Sequence, residues 1–160
     1  MRIKKLLGTA SLAGITMLAA AAVPAQASGL HWFQNQTPTV TLNGSTVTAT
    51  GQVAGAGTFI VATLTVNFTF PVNCFNPGKD GGPVPGQSQS GSASSLPQTI
   101  QANHGNASFN LTETVPTPTA PAHACPNASW TAVAGPLTIS SATVSIASSN
   151  GGSLSYTKTF

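Results

Sequence analysis

The chain has 160 residues, of which only 4% are charged and 41% hydrophobic, and its formal net charge of +3 rests on 5 Lys and Arg against 2 Asp and Glu. Arg2, Lys4 and Lys5 crowd the N-terminus, and no Arg occurs anywhere later. A nucleic-acid binder needs clustered Lys and Arg to displace counterions from phosphates, so that class is excluded, and the length is that of one domain.

Behind the basic start, residues 6–23 are apolar and Ala-rich, and Ala25 and Ala27 are small. A charged start, an apolar middle and an A-x-A end are the parts of a secretory signal peptide, so residues 1–27 are expected to be cleaved, leaving a domain at 28–160. The rival is an uncleaved transmembrane anchor, which the small-residue end disfavours. No membrane span is expected after cleavage, and no cysteine follows the apolar run to carry a lipid. Lys79, Lys158, Asp80 and Glu113 then remain as the charged side chains and cancel. Solubility must come from Ser, Thr, Asn and Gln.

Residues 28–38 have no clear period; Leu30, Trp32 and Phe33 are expected to tuck against the body as a short first strand. Val40 and Leu42 alternate with Thr39 and Thr41 up to Asn43-Gly44, a strong hairpin signal. A two-residue turn on that pair sets Val40 opposite Val47, with Ala49, Gly51 and Val53 inward on the return strand. Residues 58–74 form the most regular stretch. Ile60, Ala62, Leu64, Val66, Phe68, Phe70, Val72 and Cys74 alternate with mostly polar residues, the period of a strand with one face buried. Pro71 cannot donate to a ladder, so pairing is expected to end near Phe70. The strand either returns beside the preceding one, Val53 opposite Ile60, or crosses to a facing sheet; its parity fits both.

Residues 75–95 are dominated by Gly, Pro and Ser and are read as a long surface loop. Residues 96–102 and 107–115 are expected to pair around His104-Gly105, with Ile100 opposite Phe109 and Glu113 opposite Leu96. A second Pro-rich loop covers 116–126. Beyond Trp130, the inward phase slips at Ser140-Ser141, which predicts a β-bulge. A three-residue loop at Asn150-Gly151-Gly152 would set Ile146 against Tyr156.

Roughly seven to eight antiparallel strands without helical period describe an all-β, immunoglobulin-like β-sandwich. Cys74 and Cys125 are the chain's 2 cysteines, and in an oxidising compartment a disulfide is the default. Closing a loop of about fifty residues would stabilise the fold by roughly 4 kcal/mol through the unfolded chain. The bond would join the end of the third long strand to the start of the sixth and clamp two polar loops at one pole. Two free thiols or a metal pair are the alternative, but ligand spacing is lacking.

Cys74-Phe75-Asn76-Pro77-Gly78, Pro85-Gly86-Gln87 and Cys125-Pro126-Asn127-Ala128-Ser129-Trp130 resemble motifs of small exported actinobacterial proteins with immunoglobulin-like β-sandwich domains. The resemblance covers mainly the loops. It implies compartment and fold and brings no activity with it.

The inventory for catalysis is thin, and no enzyme activity is expected. A Ser/His/Asp set would have to recruit Asp80 from a loop without a nucleophile motif, and paired carboxylates would require Asp80 and Glu113 to converge. His31, His104 and His123 share no metal-ligand spacing and are read as unrelated surface residues, so no metal or cofactor is expected. Trp32 and Trp130 are either sugar-stacking platforms or packing residues. The candidate binding surface comprises Asn76, Lys79, Asp80, Trp32, Trp130 and His123, because loops at one end of a rigid sandwich are where recognition usually sits. The expected partner is an extracellular protein or a glycan. Leu96-Pro97-Gln98-Thr99 begins like a sortase signal, but Ile100 stands where Gly is required. The N-x-[ST] triplets follow from outward faces built of Asn and Thr.

Overall fold

The computed structural model describes residues 29–78 and 82–160. The segment expected to be a signal peptide, 1–27, and Lys79 and Asp80 lie outside the described residues. In chain order the strands are β1 (His31–Trp32), β2 (Thr39–Asn43), β3 (Thr46–Ala54), β4 (Phe59–Phe70), β5 (Val72–Phe75) and β6 (Val84–Pro85). They continue with β7 (Gln89–Ser94), β8 (Gln98–Gln101), β9 (Ala107–Thr114), β10 (Thr131–Ala134), β11 (Thr138–Ser148) and β12 (Ser153–Thr159). A short 3-10 turn, Phe33–Asn35, follows β1.

One sheet has β3 at its centre, with β1 and β2 pairing along β3 and β9 pairing with it as well. The facing sheet runs β12-β11-β4, with β7 and β8 both pairing with β4. The inward row of β4 is buried as its period requires: Ile60, Ala62, Leu64 and Val66 are all 0% exposed. They pack with Val47, Ala49 and Val53 of β3, Phe109 and Leu111 of β9, and Val144 and Ile146 of β11. Burial between two pleated faces is what holds the layers together.

Strands among the described residues number twelve, more than expected, for three physical reasons. Pro71 divides one long strand into β4 and β5, and Gly135-Pro136 divides its neighbour into β10 and β11. Ser95, Leu96 and Pro97 divide β7 from β8. Residues 89–94, expected to be loop, instead form β7 on the edge of β4. Its inward positions, Gly91 and Ala93, are too small to announce a buried face, yet Gly91 lies opposite Phe68, where a Cβ would come 2.7 Å from the ring.

One connection left open is a crossing, and one expected hairpin is replaced by a crossing. β3 pairs with β9 and not with β4, so the Gly55–Thr58 connection crosses between sheets. The turn at His104-Gly105 forms, with both residues at positive φ (49° and 77°) and Asn103 and Asn106 exchanging hydrogen bonds. Its arms then separate: β8 joins β4 and β9 joins β3. Glu113 accordingly faces Val47 instead of Leu96. The first hairpin turns on Gly44-Ser45, with Gly44 at φ 59°, which sets Val40 against Ala49. The bulge between Ile139 and Ser141 is present. The last hairpin pairs Ile146 with Leu154, and its loop carries Gly151 at φ 89°.

The disulfide pole as candidate functional site

Beyond Phe70 the long strand leaves the sandwich and builds a small sheet, β10-β5-β6. Its register sets Ala132 and Val84 on either side of Cys74, and Ala134 opposite Val72. Cys74 faces inward and is buried, and its sulfur is bonded to Cys125, with 5.7 Å between the Cα atoms. A second apolar cluster lies beneath this sheet: Phe70, Val72, Cys74 and Ala124, with Trp130, Ala132 and Ala134 packed against them. The disulfide substitutes for a larger core at this end, where the apolar residues are few and small.

The Gly/Pro-rich segment after β5 is strapped back onto the bond. Gly86 N–H donates to Val72 O at 2.7 Å, and Gln87 N–H donates to Ala124 O at 3.3 Å. A Cβ on Gly86 would lie 2.8 Å from Cys74 Sγ and 2.9 Å from Ala124 O, so only glycine lets the backbone pass this close. The far loop is braced by Asn127, whose Oδ1 accepts from Ser129 N–H and Oγ–H. Asn76 Oδ1 accepts from Gly78 N–H in the same kind of turn. Between the two segments opens a cleft of about 350 Å³ lined by Pro85, Gly86, Gln87, His123, Cys125 and Pro126.

The outer side of the small sheet carries exposed apolar groups. Phe75, opposite Thr131, is 41% exposed, and Val133, opposite Asn73, is 45% exposed. Val84, opposite Cys74 on the edge strand and so on the other face, is 40% exposed at the sheet's rim. Of the six large apolar side chains exposed among the described residues, these three share one small sheet.

Asn76, His123 and Trp130 are thus gathered around the disulfide. Trp32 is elsewhere: it pairs with Val53 in β3 and packs on the main core, its ring centroid 6.3 Å from that of Phe109. Trp130 is half-buried in the second cluster. His31 and His104 sit in β1 and in the β8–β9 turn, away from His123. Among the described residues no three His, Cys, Asp or Glu side chains converge. Phe75, Val84, Val133 and Gly86 were not named as site residues from the sequence, although Phe75 and Gly86 stand in the loop motifs quoted above. Phe75 and Val133 were findable, since both fall out of phase with the inward rows through Cys74 and Ala132.

No protein-family model matches the chain, and no curated protein does. Among solved structures it is similar to Spo0M, a sporulation control protein from Bacillus subtilis, with 12% identity over 83% of this chain and 49% of that one and a TM-score of 0.37. The chain spans about half the length of that structure, and a likeness at this level carries no weight for function.

Proposed function

We propose that the chain is an exported, non-enzymatic, immunoglobulin-like module that docks a protein partner outside the cell through its disulfide pole. The observation that carries this is the pair Phe75 and Val133, exposed on one face of the small sheet with Val84 exposed at its edge, while the other exposed large apolar side chains, Leu42, Leu96 and Phe160, are scattered over other parts of the chain. Apolar groups clustered at a braced pole and rimmed by polar side chains are the usual form of a protein-binding patch. The immunoglobulin-like assignment draws on β4–β5 running antiparallel beside β10–β11, with the disulfide at the end of that ribbon. The exported location draws on the signal-like N-terminus and on a disulfide in a chain with 2 cysteines.

The test is capture from the surface fraction of the native culture by immobilised protein, comparing wild type with Phe75→Ser/Val133→Ser and with Leu96→Ser. Leu96 is 85% exposed but lies in the β7–β8 connection, off the pole. A partner retained by Leu96→Ser and lost by the pole variant is expected. Equal capture by all three would remove the pole as the contact surface.

A further inference from the structure

The edge of the β3-centred sheet that carries β1 and β2 is broken. β1 ends its pairing at Trp32–Val53 and β2 begins at Thr39–Thr50. Six residues, Phe33 to Pro38, therefore span what two, Gly51 and Gln52, span on β3. The surplus is folded into the 3-10 turn, closed by Gln36 N–H donating to Phe33 O at 3.0 Å. Gln34 and Asn35 both sit at positive φ, 52° and 58°. Two successive non-glycine residues in the left-handed region are rare, and backbone held there by its surroundings marks candidate ligand sites.

The fold leaves a cleft of about 230 Å³ between this turn and β3. The residues lining it include one aromatic, Phe33, two with side-chain amides, Gln36 and Gln52, and three with hydroxyls, Thr37, Thr39 and Thr50. Thr39 and Thr50 are register partners on the outer face, and Gln52 follows Thr50 on that face. Gly51, the remaining lining residue, belongs to the core side: a Cβ there would come 2.7 Å from Phe109 Cζ. None of the lining residues is ionisable.

We propose that this cleft binds a single ring of a neutral glycan, a hexose or N-acetylhexosamine unit. Each ring hydroxyl both donates and accepts, and so does each lining amide and Thr hydroxyl, so the two sets satisfy one another. The C–H face of a pyranose is its apolar side, and Phe33 supplies the one flat apolar surface to meet it. An ionised ligand would lose water without finding a counter-charge, and an apolar one would strand the amides. The volume lies below the roughly 300–1,000 Å³ typical of larger small-molecule pockets, which limits the buried part to one ring. This site lies outside the disulfide pole, and its lining residues share nothing with the docking patch there.

The test is a titration of the ¹⁵N-labelled protein with methyl glycosides of glucose, galactose, mannose and N-acetylglucosamine, with adenosine and glucuronate as counter-probes. Saturating shifts of the Gln36 and Gln52 side-chain amides with at least one neutral glycoside are expected. Phe33→Ala should weaken that glycoside about tenfold, the scale of one aromatic contact. Gln36→Ala, at an exposed position that leaves the fold intact, should weaken it severalfold with an unchanged melting temperature. The proposal is overturned if no neutral glycoside shifts these amides, if adenosine or glucuronate binds more tightly than every neutral glycoside, or if Gln36→Ala binds as wild type does.

Discussion

Single atoms decide several positions where glycine stands against a bulky neighbour. Gly51 lies opposite Phe109 and Gly91 opposite Phe68, so in both sheets an aromatic ring covers the gap that a missing side chain leaves, as designed sheets also do. Gly86 is less forgiving, because its near neighbours are a disulfide sulfur and a backbone carbonyl, neither able to swing aside. Gly86→Ala is expected to lower stability by about 1–3 kcal/mol in denaturant unfolding, the usual size of an overpacked site. Gly82→Ala, with nothing within 4 Å, should stay within about 0.5 kcal/mol of wild type. The sequence shows both as glycines in one Gly/Pro-rich stretch. What separates them is the return of the chain onto Cys74, a long-range event with no local signature.

Strands were legible to the extent that alternation shows which side is buried, while saying nothing of which neighbour covers it. The period through β4 and β5 puts the even positions from Ile60 to Cys74 inward, all buried except the partly buried Phe68, and the slip at Ser140-Ser141 is a real bulge. Hairpin parity also holds, but two hairpins are displaced in register: the first because Gly44 takes the first loop position, and the last because its loop closes earlier, so that Ile146 meets Leu154 and not Tyr156. The choice between pairing and crossing was open for β3 and β4 and was misjudged for β8 and β9, since a strand facing its partner across the core has the same pattern as one beside it. The break between β7 and β8 was hidden for another reason. Ser95 turns its hydroxyl inward and accepts from Leu64 N–H at 3.0 Å, standing in for a ladder carbonyl. Ser95→Ala leaves that buried N–H unpaired and should cost about 1–3 kcal/mol. Faster hydrogen exchange at the Leu64 amide would locate the loss. The outer strands carry a further device: Glu113 on β9 faces Val47, and Lys158 on β12 faces Ala142, both at inward register positions. Inward charges on edge strands discourage edge-to-edge pairing. Glu113→Val/Lys158→Val is expected to raise concentration-dependent association in light scattering, whereas Thr157→Val, on the outer face, is not. A double variant that stays monomeric would show that the edges are protected otherwise.

At the scale of the whole molecule, two stacked sheets with neutral, hydroxyl-lined outer faces are fastened differently at their two ends. Cross-strand pairs such as Thr46–Thr114, Thr65–Ser94 and Thr143–Thr157, each 2.9 Å, tie neighbours on those faces but add little individually. The pole beyond β4 is held by the Cys74–Cys125 bond. The opposite end is held by Ser149, whose Oγ accepts from Thr58 N–H at 2.9 Å and donates to Ala56 O at 3.3 Å. Asn150 Nδ2 adds a bond to Gly55 O at 2.9 Å. This latch ties the β11–β12 loop to the β3–β4 crossing, so it joins the sheets just where the chain passes between them. Removing the disulfide with Cys74→Ala/Cys125→Ala should cost about 4 kcal/mol, given a separation of 51 residues. Ser149→Ala, at an exposed position, should cost about 0.5–1.5 kcal/mol. The two fastenings sit at opposite ends of the twelve-residue β4 and share no partner, so their effects should add to within about 0.5 kcal/mol if the sandwich unfolds as one unit. Two separate unfolding transitions in the triple variant would mean instead that the small disulfide-bearing sheet melts on its own, and the braced docking pole would lose its physical basis.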